Sequence, residues 1–172
     1  MDNAKRARLI ERYSQAVEAV FVALDHIPED QLDVRPEPKA RSAREIVHHL
    51  AESELQECMR LRRILAENTP VLHHWDERLY SERLHYERPI QHSLELFRAG
   101  ALSNVDLLRS LTNDQWKRGG NIQKPWTLSV EDWLEENVLQ VHNRLMDVIN
   151  APHGGRVIPD PRGELDLRAG QQ

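Results

Sequence analysis

The chain has 172 residues, of which 40% are hydrophobic and 30% are charged, so it can bury the core of one soluble domain. Its formal net charge of −5 argues against a general nucleic-acid binder, because neutralising phosphates requires a concentrated basic surface. The single cysteine, Cys58, excludes an internal disulfide and suits a reducing compartment. No apolar run approaches the ~18 residues of a membrane span, and the charged N-terminus is unlike a signal peptide. We therefore expect a cytoplasmic protein that binds neither nucleic acid nor membrane.

Four long amphipathic helices are predicted, with proline-containing segments between them. Apolar residues recur at steps of three and four over about 2–26, 43–68, 90–111 and 129–149. The first helix is predicted to stop at Pro28 and the second before Pro70, because proline cannot continue a helix. Residues 113–126, with two adjacent glycines, are predicted to form a loop. Alternating runs of β-branched residues are nearly absent, which indicates an all-α fold.

The connection between the second and third helices covers residues 69–89, with one short helix predicted at about 76–84. A tight antiparallel hairpin needs only a few residues, so this length predicts a crossover from one end of the bundle to the other. We therefore predict a four-helix bundle with one long crossover over residues 1–150. Residues 151–172 contain several glycines and prolines and are predicted to be an irregular C-terminal tail.

The start of the second helix combines a clear start signal with ionisable groups. Ser42 and Glu45 have the spacing of a capping box, in which each side chain bonds the backbone N–H of the other residue. At 100° per residue, Glu54 falls within the apolar sector of this helix and His49 stands at its edge. The apolar residues of that sector are Ile46, Leu50, Leu61, Ile64 and Leu65. Since a buried carboxylate must be neutral, hydrogen-bonded or facing a partner subunit, Glu54 is a candidate functional residue.

Of the nine histidines, two are candidate metal ligands: His49 on the second helix and His142 on the fourth. His48 precedes Glu52 by four residues, the spacing of an ion pair on a solvent-exposed helix face. The other histidines are expected in loops, in a first helical turn or in the tail: His26, His73, His74, His85, His92 and His153. Cys58 lies in the apolar pattern of its helix and is predicted to be a core residue, not a nucleophile.

The second helix resembles the signature of the DinB/YfiT-like four-helix-bundle family. The resemblance lies in an acidic residue, Glu45, followed by His49-Leu50-Ala51 and by Ser53-Glu54. Weaker similarities follow in the same order along the chain at Arg60–Asn68, Leu94–Phe97 and Trp126–Leu128. The resemblance extends over roughly residues 10–149, and it implies the same bundle, a metal-dependent activity and a homodimer.

The resemblance also implies a divalent metal, nickel or zinc, held by one histidine of the second helix and by two histidines four residues apart on the last helix. His49 matches the first ligand and His142 matches the second member of the pair. The other member of the pair falls on Val138, which cannot donate to a metal. Because a catalytic zinc site has three protein ligands and a water, we expect a degenerate site with weak or absent metal binding. A histidine at position 138 is expected to restore the pair.

Three functions remain open at this point. The first is a hydrolase or thiol transferase in which His49 and His142 hold the metal and Glu54 accepts a proton. The second is a metal-free bundle that binds a small or thiol-bearing molecule, with His49, Glu54 and His142 as the polar groups of its pocket. The third is a dimeric interaction protein without catalysis.

Overall fold

Our computed structural model describes residues 1–123 and 126–150; the predicted tail, residues 151–172, lies outside the described residues. In chain order the elements are α1 (Asn3–Asp25), a 3-10 helix (Glu29–Gln31), α2 (Ala43–Ala66), α3 (Glu77–Arg83), α4 (Gln91–Arg109), α5 (Asn113–Trp116), β1 (Gly119–Gln123), β2 (Trp126–Ser129) and α6 (Val130–Asn150). The four long helices pack as a bundle, which confirms the predicted fold class. Among the described residues, none of the helices combines the length and apolar character needed to cross a bilayer.

The helix starts follow the local signals in the sequence. At the start of α2, the Ser42 hydroxyl accepts from the Glu45 N–H at 3.3 Å, and the Glu45 carboxylate accepts from the Ser42 N–H at 2.9 Å. The predicted capping box is therefore confirmed. The C-terminal end of α2 is closed by a distant residue, since Arg118 Nε donates to the carbonyl of Ile64 at 2.9 Å.

Helices α2 and α4 run in the same direction. His48 bonds Ser93 near the start of both helices, and Arg62 bonds Asn104 much further along both. Two parallel helices cannot be joined by a short turn, which explains the long connection between Ala66 and Gln91. The predicted crossover is thus confirmed. Helix α6 packs against α1 and α2, and its Trp133 and Gln140 lie beside Glu57 and Ser53 of α2, so these two helices are antiparallel.

The prediction of a plain loop over residues 113–126 is wrong. This region forms α5 and then an antiparallel hairpin, in which Gly119 pairs with Ser129 and Gly120 with Leu128. The hairpin is supported from outside, because the Leu72 N–H donates to the Asn121 carbonyl at 2.7 Å. Gly120 allows this close approach, since a Cβ there would lie 2.9 Å from the Leu72 side chain.

The core between the helices contains several buried polar side chains as well as large apolar ones. Trp133, Tyr13 and Phe97 are among its largest fully buried residues. The buried polar residues on α2, α4 and α6 are His48, His49, Ser53, Glu54, Glu57, Ser93, Asn104 and Asn137. Because buried polar groups are unfavourable unless they are bonded, their partners decide which of them are structural and which are available to a ligand.

Candidate functional site

His49 is fully buried, and its imidazole has no hydrogen-bond partner among the described residues at either Nδ1 or Nε2. The ring stacks on Trp75 with 5.8 Å between centroids. Burial, reinforced by the positive charges of Arg41 and Arg144, lowers the pKa of His49 to about 3. At physiological pH, His49 is therefore a buried neutral ring, and neither of its nitrogens bonds a residue that the structure describes.

Three charged side chains, those of Glu77, Arg41 and Arg144, meet beside the His49 ring. The Glu77 Oε2 atom lies 3.5 Å from His49 Nε2, 3.7 Å from an Arg144 guanidinium nitrogen and 3.8 Å from an Arg41 guanidinium nitrogen. These separations are at or beyond the limit of a hydrogen bond. The Glu77 carboxylate thus lies loosely between the His49 imidazole and the guanidinium groups of Arg41 and Arg144. These three groups come from α2, from the segment just before it and from α6.

His49 lines a small cleft between α2, α4 and α6, which we call the His49 chamber. Its lining residues are His49, Leu50, Ser53, Glu54, Phe97, Asn137, Gln140, Val141 and Arg144. The volume open to water is about 10 Å³, which suffices for roughly one water molecule. Gln140 Nε2 donates to Ser53 Oγ across the chamber at 3.1 Å. The chamber is closed and polar on its α6 side.

A larger cavity, which we call the outer cavity, lies on the other side of Arg144 and has a volume of about 370 Å³. It is lined by Pro36, Glu37, Lys39, Ala40, Arg41, Ile46, Arg144 and Asp147. Arg144 lines both spaces and therefore forms the boundary between them. Arg41 joins it there, so the two guanidinium groups near His49 also face the outer cavity.

Glu54 is 3% exposed, which confirms the predicted burial. Its carboxyl oxygens lie 2.9 and 3.0 Å from the Tyr13 hydroxyl, and Asn104 Nδ2 donates to Oε1 at 2.7 Å. Burial raises the pKa of Glu54 to about 8, although these hydrogen bonds oppose the shift. The group is therefore mostly protonated at neutral pH, which favours a proton donor over the predicted proton acceptor. Burial and the neighbouring Glu54 also raise the pKa of Cys58 to about 12, so this thiol stays protonated.

Glu57 is a second buried carboxylate, which sequence reasoning missed. It accepts from Trp133 Nε1 at 2.8 Å and from Arg60 at 2.7 Å, and Asn137 Nδ2 lies 3.5 Å away. A signal was available, because Glu57 follows Glu54 by three residues and so shares its helix face. Its partners on α6 could not be assigned from the sequence.

The predicted surface pair between His48 and Glu52 is wrong. His48 is fully buried, with Nδ1 at 2.8 Å from Ser93 Oγ and Nε2 at 3.0 Å from the Arg88 carbonyl. Glu52 pairs instead with Arg88 at 3.3 Å. The end of the crossover and α4 cover this face of α2, and burial lowers the pKa of His48. His48 and His49 are thus adjacent buried histidines: both nitrogens of His48 are bonded, whereas those of His49 bond no residue in the described part of the chain.

The structure brings His49 and Glu54 to the same chamber. Val138 is buried in the apolar core and is not part of the chamber lining. The side chain of His142 lies outside the described residues, so its role as a ligand stays a prediction. On α6, Gln140 and Arg144 are two polar residues with a four-residue spacing that line the chamber together with His49.

The described residues do not fit a divalent metal. Within this part of the chain, no three His, Cys, Asp or Glu side chains are grouped so that they could hold an ion. The unpaired nitrogens of His49 suit a metal ligand, and Glu77 Oε2 is 3.5 Å away. However, the two guanidinium groups beside Glu77 place positive charge where a cation would have to lie.

Comparison with known proteins finds relatives whose names refer to metal. A "Putative metal-dependent hydrolase" of Oceanobacillus iheyensis is 33% identical over 89 residues, which are 52% of each chain. YfiT of Bacillus subtilis bears the same description and is 30% identical over 105 residues, 56% of this chain and 55% of YfiT. The chain thus spans about half the length of the curated relatives it matches.

A solved structure of YfiT superposes with a TM-score of 0.79 and 25% identity, over 86% of both chains. It is described as "a probable metal-dependent hydrolase with an unusual four-helix bundle topology", and the parallel α2–α4 pair gives this chain a topology that short turns cannot produce. The sequence model of the DinB superfamily matches residues 12–142, most of the chain and all four long helices in whole or in part. The chain therefore belongs to the DinB superfamily.

Proposed function

We propose that this protein binds a small anionic molecule at the boundary between the His49 chamber and the outer cavity, without a metal ion. The observation that carries the proposal is that Arg41 and Arg144 converge on Glu77 Oε2 beside the His49 imidazole, whose nitrogens bond no described residue. Their positive charge is one reason why the pKa of His49 is lowered. The positive potential of Arg41 and Arg144, which disfavours a proton on His49, favours a negative charge beside the His49 ring.

The dimensions of the outer cavity support this assignment. Its volume of about 370 Å³ lies at the lower end of the range for small-molecule sites, roughly 300–1,000 Å³. Ala40 and Ile46 contribute apolar surface. Arg41 and Arg144 supply positive charge at one end, where Asp147 also lines the cavity and pairs with Arg144 at 3.2 Å. A molecule with an apolar body and one anionic group matches this distribution.

The electrostatics favour binding over acid–base catalysis by His49. A general base works best when its pKa lies near the operating pH, and the pKa of about 3 makes His49 a weak base at pH 7. His49 is better suited to accept or donate one hydrogen bond to the ligand. The protonated Glu54 lines the same chamber and is the available proton donor if the protein also cleaves its ligand.

The second candidate is the metal-dependent hydrolase that the names of the relatives describe. The unbonded nitrogens of His49 support it, since a metal ligand needs a free lone pair. This function requires further metal ligands, for which the predicted His142 is the candidate. Thiol transfer is part of the same second proposal, since it would use the same metal. A bound nickel or zinc ion would supply an activated water or thiolate.

Calorimetric titration separates the two functions. We expect butyrate to bind the wild-type protein, and Arg144→Gln to weaken that binding at least tenfold. Arg109→Gln is the matched control, because Arg109 is an exposed α4 residue that faces Glu11 at 3.6 Å, away from both cavities. Stoichiometric zinc or nickel binding that disappears in His49→Leu, with no butyrate binding, would contradict the anion proposal and support the hydrolase.

A further inference from the structure

We propose that Glu77 is a built-in competitor for the ligand: its carboxylate occupies the place of the ligand's own carboxylate, and α3 is the gate that carries it. This inference rests on the proposed function and narrows the ligand class to monocarboxylates. It also predicts that Glu77 blocks the ligand site in the conformation described above, and that ligand binding requires Glu77 to move away from Arg41 and Arg144.

The position of the Glu77 carboxylate is the first argument. Its Oε2 atom is surrounded by His49 Nε2, an Arg144 nitrogen and an Arg41 nitrogen at 3.5, 3.7 and 3.8 Å. Two guanidinium groups around one carboxylate form the arrangement that recognises a planar carboxylate ligand. All three distances exceed those of a good hydrogen bond, so the site is complementary to a carboxylate but binds this one loosely.

The attachment of α3 is the second argument. This helix has seven residues and buries none of them, whereas Trp75 before it and Tyr86 after it are buried. Trp75 and Tyr86 therefore anchor its two ends, while between them the half-buried Tyr80 packs on Trp75 with 4.8 Å between ring centroids and lies 3.4 Å from Gln56 of α2. His85, next to the C-terminal anchor, has a φ of 53°, a conformation in which the chain changes direction sharply. Outward movement of α3 between these anchors would expose no fully buried α3 side chain, and the hydrogen bond that it would break is the 3.4 Å contact between Tyr80 and Gln56.

The location of the outer cavity is the third argument. Arg41 and Arg144 line it, and the same two residues approach Glu77. A carboxylate that replaced Glu77 would place its apolar body against Ile46 and Ala40 in this cavity. The cavity is thus positioned to hold the remainder of a molecule whose carboxylate lies between the two arginines.

The test is calorimetric titration of butyrate into the full chain and four variants. We expect Glu77→Ala to bind butyrate at least tenfold more tightly than the wild type, because the competing carboxylate is gone. Glu82→Ala is the matched control: it removes a carboxylate from the same helix, one that pairs with Arg78 on the surface, and should leave the affinity unchanged. Arg144→Gln and the double variant Glu77→Ala/Arg144→Gln should both bind at least tenfold more weakly than their parents. Thermal melts confirm folding of each variant.

The outcomes separate this inference from the proposed function. If Arg144→Gln weakens binding but Glu77→Ala does not strengthen it, the competitor role is wrong and the anion site stands. If the double variant binds as tightly as Glu77→Ala, butyrate lies elsewhere and both are wrong. Absence of butyrate binding in every variant would also contradict both. Phosphate, which is not planar, should gain less than butyrate from Glu77→Ala; an equal gain would overturn the assignment to carboxylates.

Discussion

Two polar regions of the same core differ in how completely their groups are bonded. Around Glu54 and Glu57, three side chains approach each carboxylate within 3.5 Å, among them Tyr13, Asn104 and Trp133. Around the His49 ring, neither nitrogen bonds a described residue, and the Glu77 carboxylate oxygen is 3.5 Å from Nε2. Both regions are on α2, within three helical turns of each other.

This difference distinguishes buried polar groups that stabilise the fold from buried polar groups that are available for binding. A buried group with all its partners present stabilises one packing arrangement, and removing it leaves those partners unpaired. A buried group without partners is unfavourable for folding, and its persistence points to a ligand or a moving element. Substitutions should therefore destabilise the protein at the first region and change binding at the second.

The largest effect is expected from building a metal site in the chamber. The double variant Gln140→His/Arg144→His places two imidazoles four residues apart opposite His49 and removes one positive charge, so zinc affinity should rise roughly a hundredfold or more. Titration with zinc measures it. Val138→His, which creates the pair that the sequence predicted, is the comparison. A larger gain from Val138→His than from the double variant would show that position 138, and not 140 and 144, faces His49.

Removing Glu57 should cause the largest loss of stability. Glu57→Leu leaves the Trp133 N–H, Asn137 and Arg60 without their buried acceptor, so the free energy of unfolding should fall by about 3 kcal/mol. Urea denaturation provides the measurement. Glu18→Leu breaks an exposed pair with Arg98 and should change it by less than about 1 kcal/mol. Equal effects of the two substitutions would contradict a structural role for Glu57.

The stability of the wild-type protein should depend on the titration of Glu54. Its pKa is raised from 4.5 to about 8 in the folded state, so between these values the folded protein binds a proton that the unfolded chain has lost. Stability contributed by the protonated group is fully present below pH 4.5 and is lost as the pH rises to about 8, by on the order of a few kcal/mol. Glu54→Gln should flatten this decline in urea titrations at several pH values. An unchanged slope would mean that another group causes it.

The smallest effects are expected when the adjacent His48 and His49 are each replaced and the stabilities of the two variants are compared. His48→Leu removes the bonds to the Ser93 hydroxyl and to the Arg88 carbonyl, which keeps only a 3.5 Å contact from Arg44, and should destabilise the fold by about 1–3 kcal/mol. His49→Leu removes no described hydrogen bond and should change stability at pH 7 by less than about 1 kcal/mol. Since the pKa of His49 is lowered from 6.5 to about 3, wild-type stability should fall as the pH drops through this window, and His49→Leu should reduce that loss. Denaturation at pH 7 and pH 4 tests both statements; equal costs at pH 7 would contradict the distinction.

The sequence by itself determined where the four long helices lie along the chain and part of their arrangement in the bundle. Periodic apolar residues, prolines and the Ser42–Glu45 capping box act over one or two helical turns, so α1, α2, α4 and α6 could be predicted within a few residues. The length of the crossover required the third helix to start far from the end of the second. The burial of Glu54 followed from its position in the apolar sector of α2.

Only the tertiary structure decided what each polar side chain meets. His48 and His49 are neighbours in the sequence, yet α4 and the crossover bond His48, while none of the described residues bonds His49. Glu77, Gln140 and Arg144 are distant in sequence from His49 and carry no local signal that joins them to it. The β1–β2 hairpin likewise depends on pairing with Leu72 in the crossover. Local patterns report the conformation of a segment, whereas a site depends on contacts between segments whose relative placement is set by packing.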